Sequence, residues 1–418
     1  MTAHKNYLFV VVLFVVVLMT MAVTALSAIV NIVVDPYGVY RLFSIDGFNA
    51  LKPAAQSNLR LAKAYDLKRV KPDAIFLGNS RVDQGFDPHL PSVMFDRVVY
   101  NTGLPGSTIY ELYRYLQHAT ATGPLDRVML ALDVFSFNTN IVAFAPSFSE
   151  GRLAVAENGE PTPIWNIERF RDLHHVYVAW PTLMKSLTTV ADQDAAWAST
   201  RTVLGFNPMI EGDYFIRKTG YRESFARKDR NYLTRLLDRS MNLAPSKHWP
   251  SGPMVYFAKT VEFCRLHDIQ LDLVIHPYHA HVLEIMHETG IWPNFDAWKR
   301  ELVAVLASDR ARYPEKAEFA LWDFSTYNTM TMERIPGEGK KQDMTWYWES
   351  SHYKEIVGAA MAVRMYDLPL KSVLPADFGI KLTPSNLEAH LKSYPTQRQA
   401  YRQSHAKEIE KLEQMYRE

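Results

Sequence analysis

The sequence of 418 residues is poor in cysteine and has almost no net charge. Its single thiol, Cys264, excludes an intramolecular disulfide framework, although it is compatible with either a reducing or an oxidising compartment. Lysine and arginine number 46 against 45 for aspartate and glutamate, so no excess of positive charge favours a nucleic-acid partner, and we expect none. The hydrophobic content of 48% is sufficient for one large domain or two small ones.

Charge is also absent from residues 7–34, which are mostly aliphatic. A helix needs roughly 20 apolar residues to cross a bilayer, and this run is longer. The alternative is a secretory signal cleaved near Ala25-Leu26-Ser27, but such a signal has only about 7–15 apolar residues, and here apolar sequence continues to Val33. We therefore expect residues 1–35 to form an uncleaved transmembrane anchor, which ends before Pro36 because proline cannot continue the helix.

The charges that flank this segment do not settle its orientation. Lys5 on the amino-terminal side stands against Arg41 and Lys52 on the other side, whereas positive-inside reasoning needs a clear difference. Because the amino-terminal tail is short, we expect it to stay in the cytoplasm. The interpretation is a single-pass protein of a bacterial inner membrane with a periplasmic main domain.

Short apolar runs bounded by turn residues predict five buried strands. They cover residues 74–77, 98–100, 128–132, 271–275 and 319–324. Segments with helical spacing of apolar residues, such as 107–120 and 252–267, separate most of them. This alternation predicts an α/β protein with about five parallel strands in a doubly wound sheet. In such sheets ligands bind outside the carboxyl ends of the strands.

Three further segments complete the predicted domain organisation. The α/β domain spans residues 36–375 and is interrupted at about 140–251 by an aromatic-rich insertion without a clear strand. This insertion is too long for a structureless connection, so it forms a lid or substrate cleft, or else an extra helical layer that only packs. The polar sequence of residues 376–418 predicts a charged helical tail. We expect this helix to be exposed to solvent, with a partner-binding segment as the alternative.

Residues suited to acyl chemistry follow the predicted strands. The first strand ends at Gly78-Asn79-Ser80, which releases a serine into a turn. The second is followed by the glycine-punctuated turn from Asn101 to Thr108, whose backbone N–H groups are free to approach a ligand. After the last predicted strand, Glu349 and His352 stand three residues apart.

In this order the three blocks resemble those of the SGNH, or GDSL-like, hydrolase superfamily. The resemblance covers Gly78-Asn79-Ser80, the Asn-x-x-x-x-Gly-x-Thr pattern from Asn101 to Thr108, and the acid-x-x-His spacing of Glu349 and His352. It implies a three-layer α/β/α, flavodoxin-like fold. It also implies a catalytic serine, Ser80, activated by His352 with Glu349 as the acid, without a metal or organic cofactor. The N–H groups of Ser80 and Gly106 would form the oxyanion hole.

The chain departs from this family pattern at two places. The acid is glutamate, Glu349, where aspartate is usual. The third block normally supplies a Gly-x-Asn whose amide completes the oxyanion hole, but here the third strand ends at Asp133, and an ionised carboxylate cannot donate a hydrogen bond. Asn138 would replace that amide only if its loop folds back.

The resemblance also implies a substrate class and partners. Membrane-anchored relatives of similar layout attach or remove acyl groups on bacterial surface polysaccharides. We therefore expect an esterase or O-acyltransferase that acts on an O-acyl group, with acetyl expected, of an envelope or extracellular polysaccharide. Its partners would be the carbohydrate or acylated substrate and a membrane acyltransferase or polysaccharide-assembly proteins. The alternative is a catalytically degenerate domain that binds polysaccharide or scaffolds an envelope complex.

Other residues at the predicted strand ends are candidates for substrate contacts. They are Arg81, Asn101, Asp133, Asn138, His276 and His279. The histidine-rich run 276–281 also raises zinc as an alternative, but no second cluster with complementary spacing is evident, so we expect no metal.

Structural alternatives stand beside the catalytic ones. Ser80 is also a suitable helix cap, and Arg81 a partner for Asp83 in an ion pair. Asp343 is a rival for the role of acid, and Glu349 with His352 also fits a solvated surface pair.

Overall fold

A mostly parallel sheet of six strands forms the centre of an α/β fold. The computed structural model describes residues 2–89, 96–238, 240–337, 342–368 and 374–417, with side chains from residue 7. The strands are β1 Ala74–Gly78, β2 Val99–Gly103, β3 Arg127–Leu132, β4 Gln270–Ile275, β5 Leu321–Asp323, β6 Tyr347–Glu349, β7 His352–Tyr353 and β8 Ile380–Leu382.

Fourteen α-helices occur among the described residues. They are α1 Thr2–Val34, α2 Leu59–Val70, α3 Ser80–Gly85, α4 Ile109–Thr122, α5 Ile167–Leu173, α6 Trp180–Ala191, α7 Ile210–Thr219, α8 Tyr221–Asp238, α9 Met254–Leu266, α10 Ala280–Glu288, α11 Trp292–Arg312, α12 Glu355–Met365, α13 Leu387–Ser404 and α14 Ala406–Arg417. A π-helical turn, His174–Val178, separates α5 from α6.

The strand order in the sheet is β2-β1-β3-β4-β5-β8. The first five strands run parallel, and β8 pairs antiparallel with β5. The predicted α/β class and the five parallel strands are therefore confirmed. The sequence does not predict β8, the last strand of this sheet, because its three residues are too few to show a recognisable strand pattern.

The chain divides into two compact units. Residues 1–66 and 149–201 form the helix unit, and residues 67–148 and 202–418 form the sheet unit. The segment that we expected as one insertion, about 140–251, is thus divided: its middle belongs to the helix unit, and its last part supplies α7 and α8 to the sheet unit.

Helix α1 is long and apolar. Its stretch from Tyr7 to Val34 has the length and composition needed to cross a membrane, and its most apolar window is entirely exposed. This agrees with either a signal anchor or a signal sequence. Among the side chains of this helix that are described, from residue 7 onward, the buried ones lie at its carboxyl end: Ser27, Asn31 and Val34.

Residues 376–418, which we expected to form a charged helical tail, contribute a strand and two helices to the sheet unit. Helix α13 buries Tyr394 and Tyr401. The Tyr394 hydroxyl donates to Asp323 Oδ2 at the end of β5, at 3.0 Å. This segment is therefore part of the packed unit and not a solvated appendage.

Candidate active site

Ser80 is the first residue of α3, and Asn79 alone separates it from the end of β1. The cap of this helix is Asn79, whose side-chain oxygen accepts a hydrogen bond from Arg81 N at 2.9 Å. Because Asn79 satisfies the helix terminus, the Ser80 hydroxyl does not act as the cap. It points instead to the imidazole of His352, with Oγ and Nε2 2.7 Å apart.

Glu349 and His352 face each other across a tight hairpin formed by β6 and β7. Two buried tyrosines hold this hairpin. The Tyr347 hydroxyl donates to Pro277 O at 3.0 Å, and the Tyr353 hydroxyl is hydrogen-bonded to His276 Nδ1 at 2.8 Å. The hairpin therefore fixes the direction in which the imidazole points.

The acid, the imidazole and the hydroxyl form a continuous hydrogen-bonded chain. Glu349 Oε1 is bonded to His352 Nδ1, and Glu349 Oε2 accepts from Ser351 N at 2.7 Å. Burial would raise the pKa of Glu349, but the imidazole of His352 and the Lys228 ammonium outweigh burial and lower this pKa to about 2. The acid is thus ionised at neutral pH. Asp343, the rival acid, is exposed and paired with Arg217 at 3.3 Å.

Lys228 on α8 is a charged neighbour that the sequence did not indicate. Its Nζ lies 3.5 Å from Glu349 Oε1, the oxygen that also meets the imidazole. Burial lowers the pKa of His352, Glu349 raises it and Lys228 lowers it further, so the net shift is downward. A neutral imidazole with a free Nε2 lone pair is the form that accepts the proton of a serine.

Gly106 lies in a tight turn beside Ser80. The turn is fixed by hydrogen bonds from Leu104 N to Gly78 O at 2.8 Å and from Ser107 N to Leu104 O at 2.9 Å. Gly106 has a φ of +67°, which favours glycine. Within the described chain, the N–H groups of Ser80 and Gly106 donate to no protein acceptor, and both residues line one cavity. These two amides are available to stabilise an oxyanion.

Asp133 and Arg81 form a buried ion pair, and both residues line the same cavity as Ser80 and His352. The carboxylate accepts from four donors: Asn79 Nδ2, Arg81 Nη1, Phe135 N at 2.9 Å and Tyr278 Oη at 2.8 Å. An ionised carboxylate has no hydrogen to donate, so Asp133 cannot stabilise an oxyanion, and its oxygens instead accept hydrogen bonds from within the protein.

Arg81 connects the turn that carries Ser80 (the serine turn, residues 78–81) to the hairpin of β6 and β7. Its Nε donates to Ser351 O at 2.7 Å, and its Nη2 donates to Ser351 Oγ at 3.1 Å and to Tyr232 Oη at 2.7 Å. The ion pair that we weighed with Asp83 is therefore made with Asp133 instead. Since most of its donors are engaged, Arg81 is a positioning residue in this arrangement and not a free anion-binding group.

Helix α8 forms one wall of a cavity of about 160 Å³ around these groups. Its members at helical spacing are Lys228, Asn231, Tyr232, Arg235 and Leu236. Ser80, Gly106 and His352 line the same cavity. The wall that α8 supplies is mostly polar and carries two cationic side chains, Lys228 and Arg235. This composition suits hydroxylated or anionic ligands. The spacing along α8 is visible in the sequence, but nothing local indicates which site that face covers.

Four predicted substrate contacts are buried away from this cavity. Asn101 donates to Val82 O and Phe86 O at 2.7 and 2.8 Å, so it ties β2 to α3. The other three are engaged likewise: Asn138 accepts from backbone N–H groups, His276 bonds to the hairpin, and His279 is bonded to a backbone carbonyl. The structure gives all four a packing role and does not bring them to the cavity.

Among the residues that the structure describes, no group of three or more His, Cys, Asp or Glu side chains is arranged to hold a metal ion. Of the histidine-rich run, His281 is paired with Asp229 at 2.8 Å.

Comparisons with protein-family models, with curated proteins and with solved structures each find no match for the chain.

Proposed function

We propose that the protein is a serine-dependent carboxylic ester hydrolase or O-acyltransferase of the SGNH type. The observation that carries this proposal is the 2.7 Å contact between Ser80 Oγ and His352 Nε2, with Glu349 bonded to the other ring nitrogen. The order of the first five strands, 2-1-3-4-5, is that of flavodoxin-like sheets and supports the same assignment.

The reaction begins when Ser80 Oγ attacks the carbonyl carbon of the acyl group and transfers its proton to His352 Nε2. Glu349 holds the ring orientation and stabilises the imidazolium that forms. The N–H groups of Ser80 and Gly106 stabilise the oxyanion of the tetrahedral intermediate. The protonated imidazole then donates to the leaving alcohol. Water or a sugar hydroxyl, deprotonated by His352, releases the acyl group from the enzyme.

The substrate we propose is an O-acylated polysaccharide of the envelope or the extracellular matrix, with acetyl as the acyl group. The polar wall supplied by α8 fits sugar hydroxyls, and the cavity of about 160 Å³ has room for a small acyl group. Helix α1 would anchor the protein in a bacterial inner membrane, with the site on the periplasmic side. Partners would be polysaccharide-assembly proteins or a membrane acyltransferase.

A non-catalytic, polysaccharide-binding role is the second candidate. The observation in its favour is that β3 is followed by Asp133, a carboxylate, and not by the Gly-x-Asn amide of the family pattern, so the site has two oxyanion donors and not three. Loss of one oxyanion donor costs about 10²–10³ in rate, so this substitution weakens catalysis without removing it.

The two roles are distinguished by a fluorophosphonate probe, which labels an activated serine whatever the natural donor is. We expect the full-length protein in detergent to be labelled at Ser80, and Ser80→Ala to lose all labelling. The control Ser107→Ala removes a cavity hydroxyl whose one partner among the described residues is Gly78 O, at 3.4 Å, and it should be labelled normally. His352→Ala should be labelled about 10²–10⁴ times more slowly. An unlabelled parent, or equal labelling of Ser80→Ala, would favour the binding role. Turnover of p-nitrophenyl acetate by the same proteins is the second readout.

A further inference from the structure

Helix α6 has its polar and apolar faces reversed relative to a helix on the surface of a soluble protein. It buries Thr182, Ser186 and Thr189. It exposes large apolar side chains on the opposite face, at a spacing of four and then three residues: Trp180 at 63%, Met184 at 44% and Leu187 at 53%. A helix in water normally shows the opposite pattern, because burial of apolar area is the favourable term.

The buried polar face of α6 packs against the carboxyl end of α1. Ser186 Oγ donates to Asn31 Oδ1 at 2.8 Å, and Asn31 Nδ2 donates to Tyr177 O at 2.8 Å. On its other side the same stretch of α1 exposes Leu26 and Ile29. Small and polar residues therefore line the contact between the two helices, and apolar residues face outward. This is the arrangement of helices that pack against each other in lipid.

The segment before α6, within the same helix unit, is also apolar at its surface. Its exposed members are Ile164, Trp165, Ile167 and Phe170. Trp165 is 82% exposed, which is exceptional for an indole. Tryptophan is enriched where a protein meets the boundary between lipid and water.

We propose that α6 lies in the bilayer interface at the carboxyl end of α1 and contacts lipid through Trp180, Met184 and Leu187. The twelve residues of α6 extend about 18 Å, which is too short to span a hydrocarbon core of about 30 Å. Lys185, exposed in the middle of the helix, reaches the headgroups by extending its side chain. The helix unit is thus held at the membrane by a surface as well as by α1. This inference rests on the proposed anchoring through α1.

The test uses full-length protein with one added cysteine, reconstituted in phosphatidylcholine and phosphatidylglycerol vesicles with or without brominated acyl chains. Native Cys264 is fully buried and so is protected from the thiol label. Met184→Cys and Leu187→Cys carry a polarity-sensitive fluorophore. The matched control is Leu266→Cys in the sheet unit, where the leucine is 67% exposed on a helix. At positions 184 and 187 we expect the fluorophore emission to be blue-shifted in both kinds of vesicle and to be quenched in the vesicles with brominated chains. At position 266 we expect neither the blue shift nor the quenching.

Three results would overturn the inference. Emission at 184 and 187 that matches position 266 would place α6 in water. A blue shift without quenching by bromine would mean that protein, a partner or a second copy, covers the face. Failure of the unlabelled protein to float with vesicles would show that α1 does not anchor it. This result would leave the proposed catalytic function unaffected, because that function is tested separately by the labelling of Ser80. Quenching of Trp180, read as the difference between the unlabelled protein and Trp180→Phe, gives the same answer without a label.

Discussion

Ser80 Oγ and His352 Nε2 lie 2.7 Å apart although the two residues are 272 positions apart in the chain. A second contact runs beside this one: Arg81, next to the serine, donates to the backbone oxygen of Ser351, next to the histidine. The serine turn and the hairpin are therefore joined twice. Because Arg81 is held in turn by Asp133, the geometry of Ser80, His352 and Glu349 depends on an ion pair that has no part in the proposed reaction.

The first prediction concerns this ion pair. Arg81→Met leaves the Asp133 carboxylate buried without its cation, which should lower the free energy of unfolding by about 3–5 kcal/mol and reduce ester turnover. Thermal unfolding and p-nitrophenyl acetate hydrolysis measure the two effects. The control is Arg217→Met, which breaks the pairs that this exposed side chain makes with Asp213 and Asp343 and should lower the free energy of unfolding by at most about 1 kcal/mol. Equal losses in the two variants would show that Arg81 does not organise the site.

The second prediction concerns the acid. Glu349→Gln keeps the size of the side chain but removes its charge, so kcat should fall by about 10⁴. Glu349→Asp retains the charge on a shorter side chain, and we expect its loss to be smaller. The control is Asp343→Asn, since Asp343 is exposed and bonded to Arg217, and its kcat should be unchanged. The reverse ranking of Glu349→Gln and Asp343→Asn would transfer the role of acid to Asp343.

The parts of this site that the sequence predicted are those set by local pattern. Buried β-branched runs bounded by turn residues gave β1 to β5 to within a few residues at either end, and strand ends in a parallel sheet meet at one edge. Ser80 and Gly106 follow from that rule. Glu349 and His352 do not, because they lie on the separate hairpin of β6 and β7; they were proposed from their acid-x-x-His spacing and the family resemblance. The cap of α3 is the instructive exception: both Asn79 and Ser80 suit the position, and only the structure assigns it to Asn79.

What the sequence did not predict depends on pairing between distant segments. Lys228 and Tyr232 lie on α8, in a stretch where the sequence pattern places no strand end of the sheet. Nothing in that pattern therefore shows that they contact Glu349 and Ser351 of the hairpin. Asn101 and Asn138 are polar residues at strand ends, which suggested ligand binding, but their side chains satisfy buried backbone groups instead. A polar residue at a strand end serves either purpose, and only its neighbours in space decide which.

The third prediction concerns pH. The Lys228 ammonium disfavours a positive charge on His352 and so lowers its pKa. The proposed reaction needs the neutral imidazole, so we expect activity to fall as the pH drops through this pKa. Lys228→Met should therefore raise the pKa of His352 and move the acidic limb of the kcat/KM profile to higher pH, whereas Lys228→Arg should leave it near the parent value.

Arg235→Met is the control for that experiment, because Arg235 lines the same cavity but is exposed. It should alter KM for an anionic substrate more than it moves the acidic limb. An acidic limb that stays in place, or moves to lower pH, in Lys228→Met would mean that Lys228 does not act on the imidazole.

The last prediction separates a packed carboxyl-terminal segment from a detachable tail. Asp323 is fully buried and accepts from Lys299 Nζ at 2.7 Å, His390 Nε2 at 2.9 Å and Tyr394 Oη at 3.0 Å. A chain that ends at residue 375 loses the last two partners and also exposes the edge of β5 that β8 covers. We expect this truncated protein to aggregate or to unfold at a clearly lower temperature. Tyr394→Phe removes one hydrogen-bond donor from the buried Asp323 carboxylate and should lower the free energy of unfolding by about 1–3 kcal/mol. The control Lys392→Ala, on the exposed side of α13, should change the free energy of unfolding by no more than about 0.5 kcal/mol. Unchanged thermal unfolding after truncation would mean that the sheet unit is complete without β8 and α13, as a solvated tail would require.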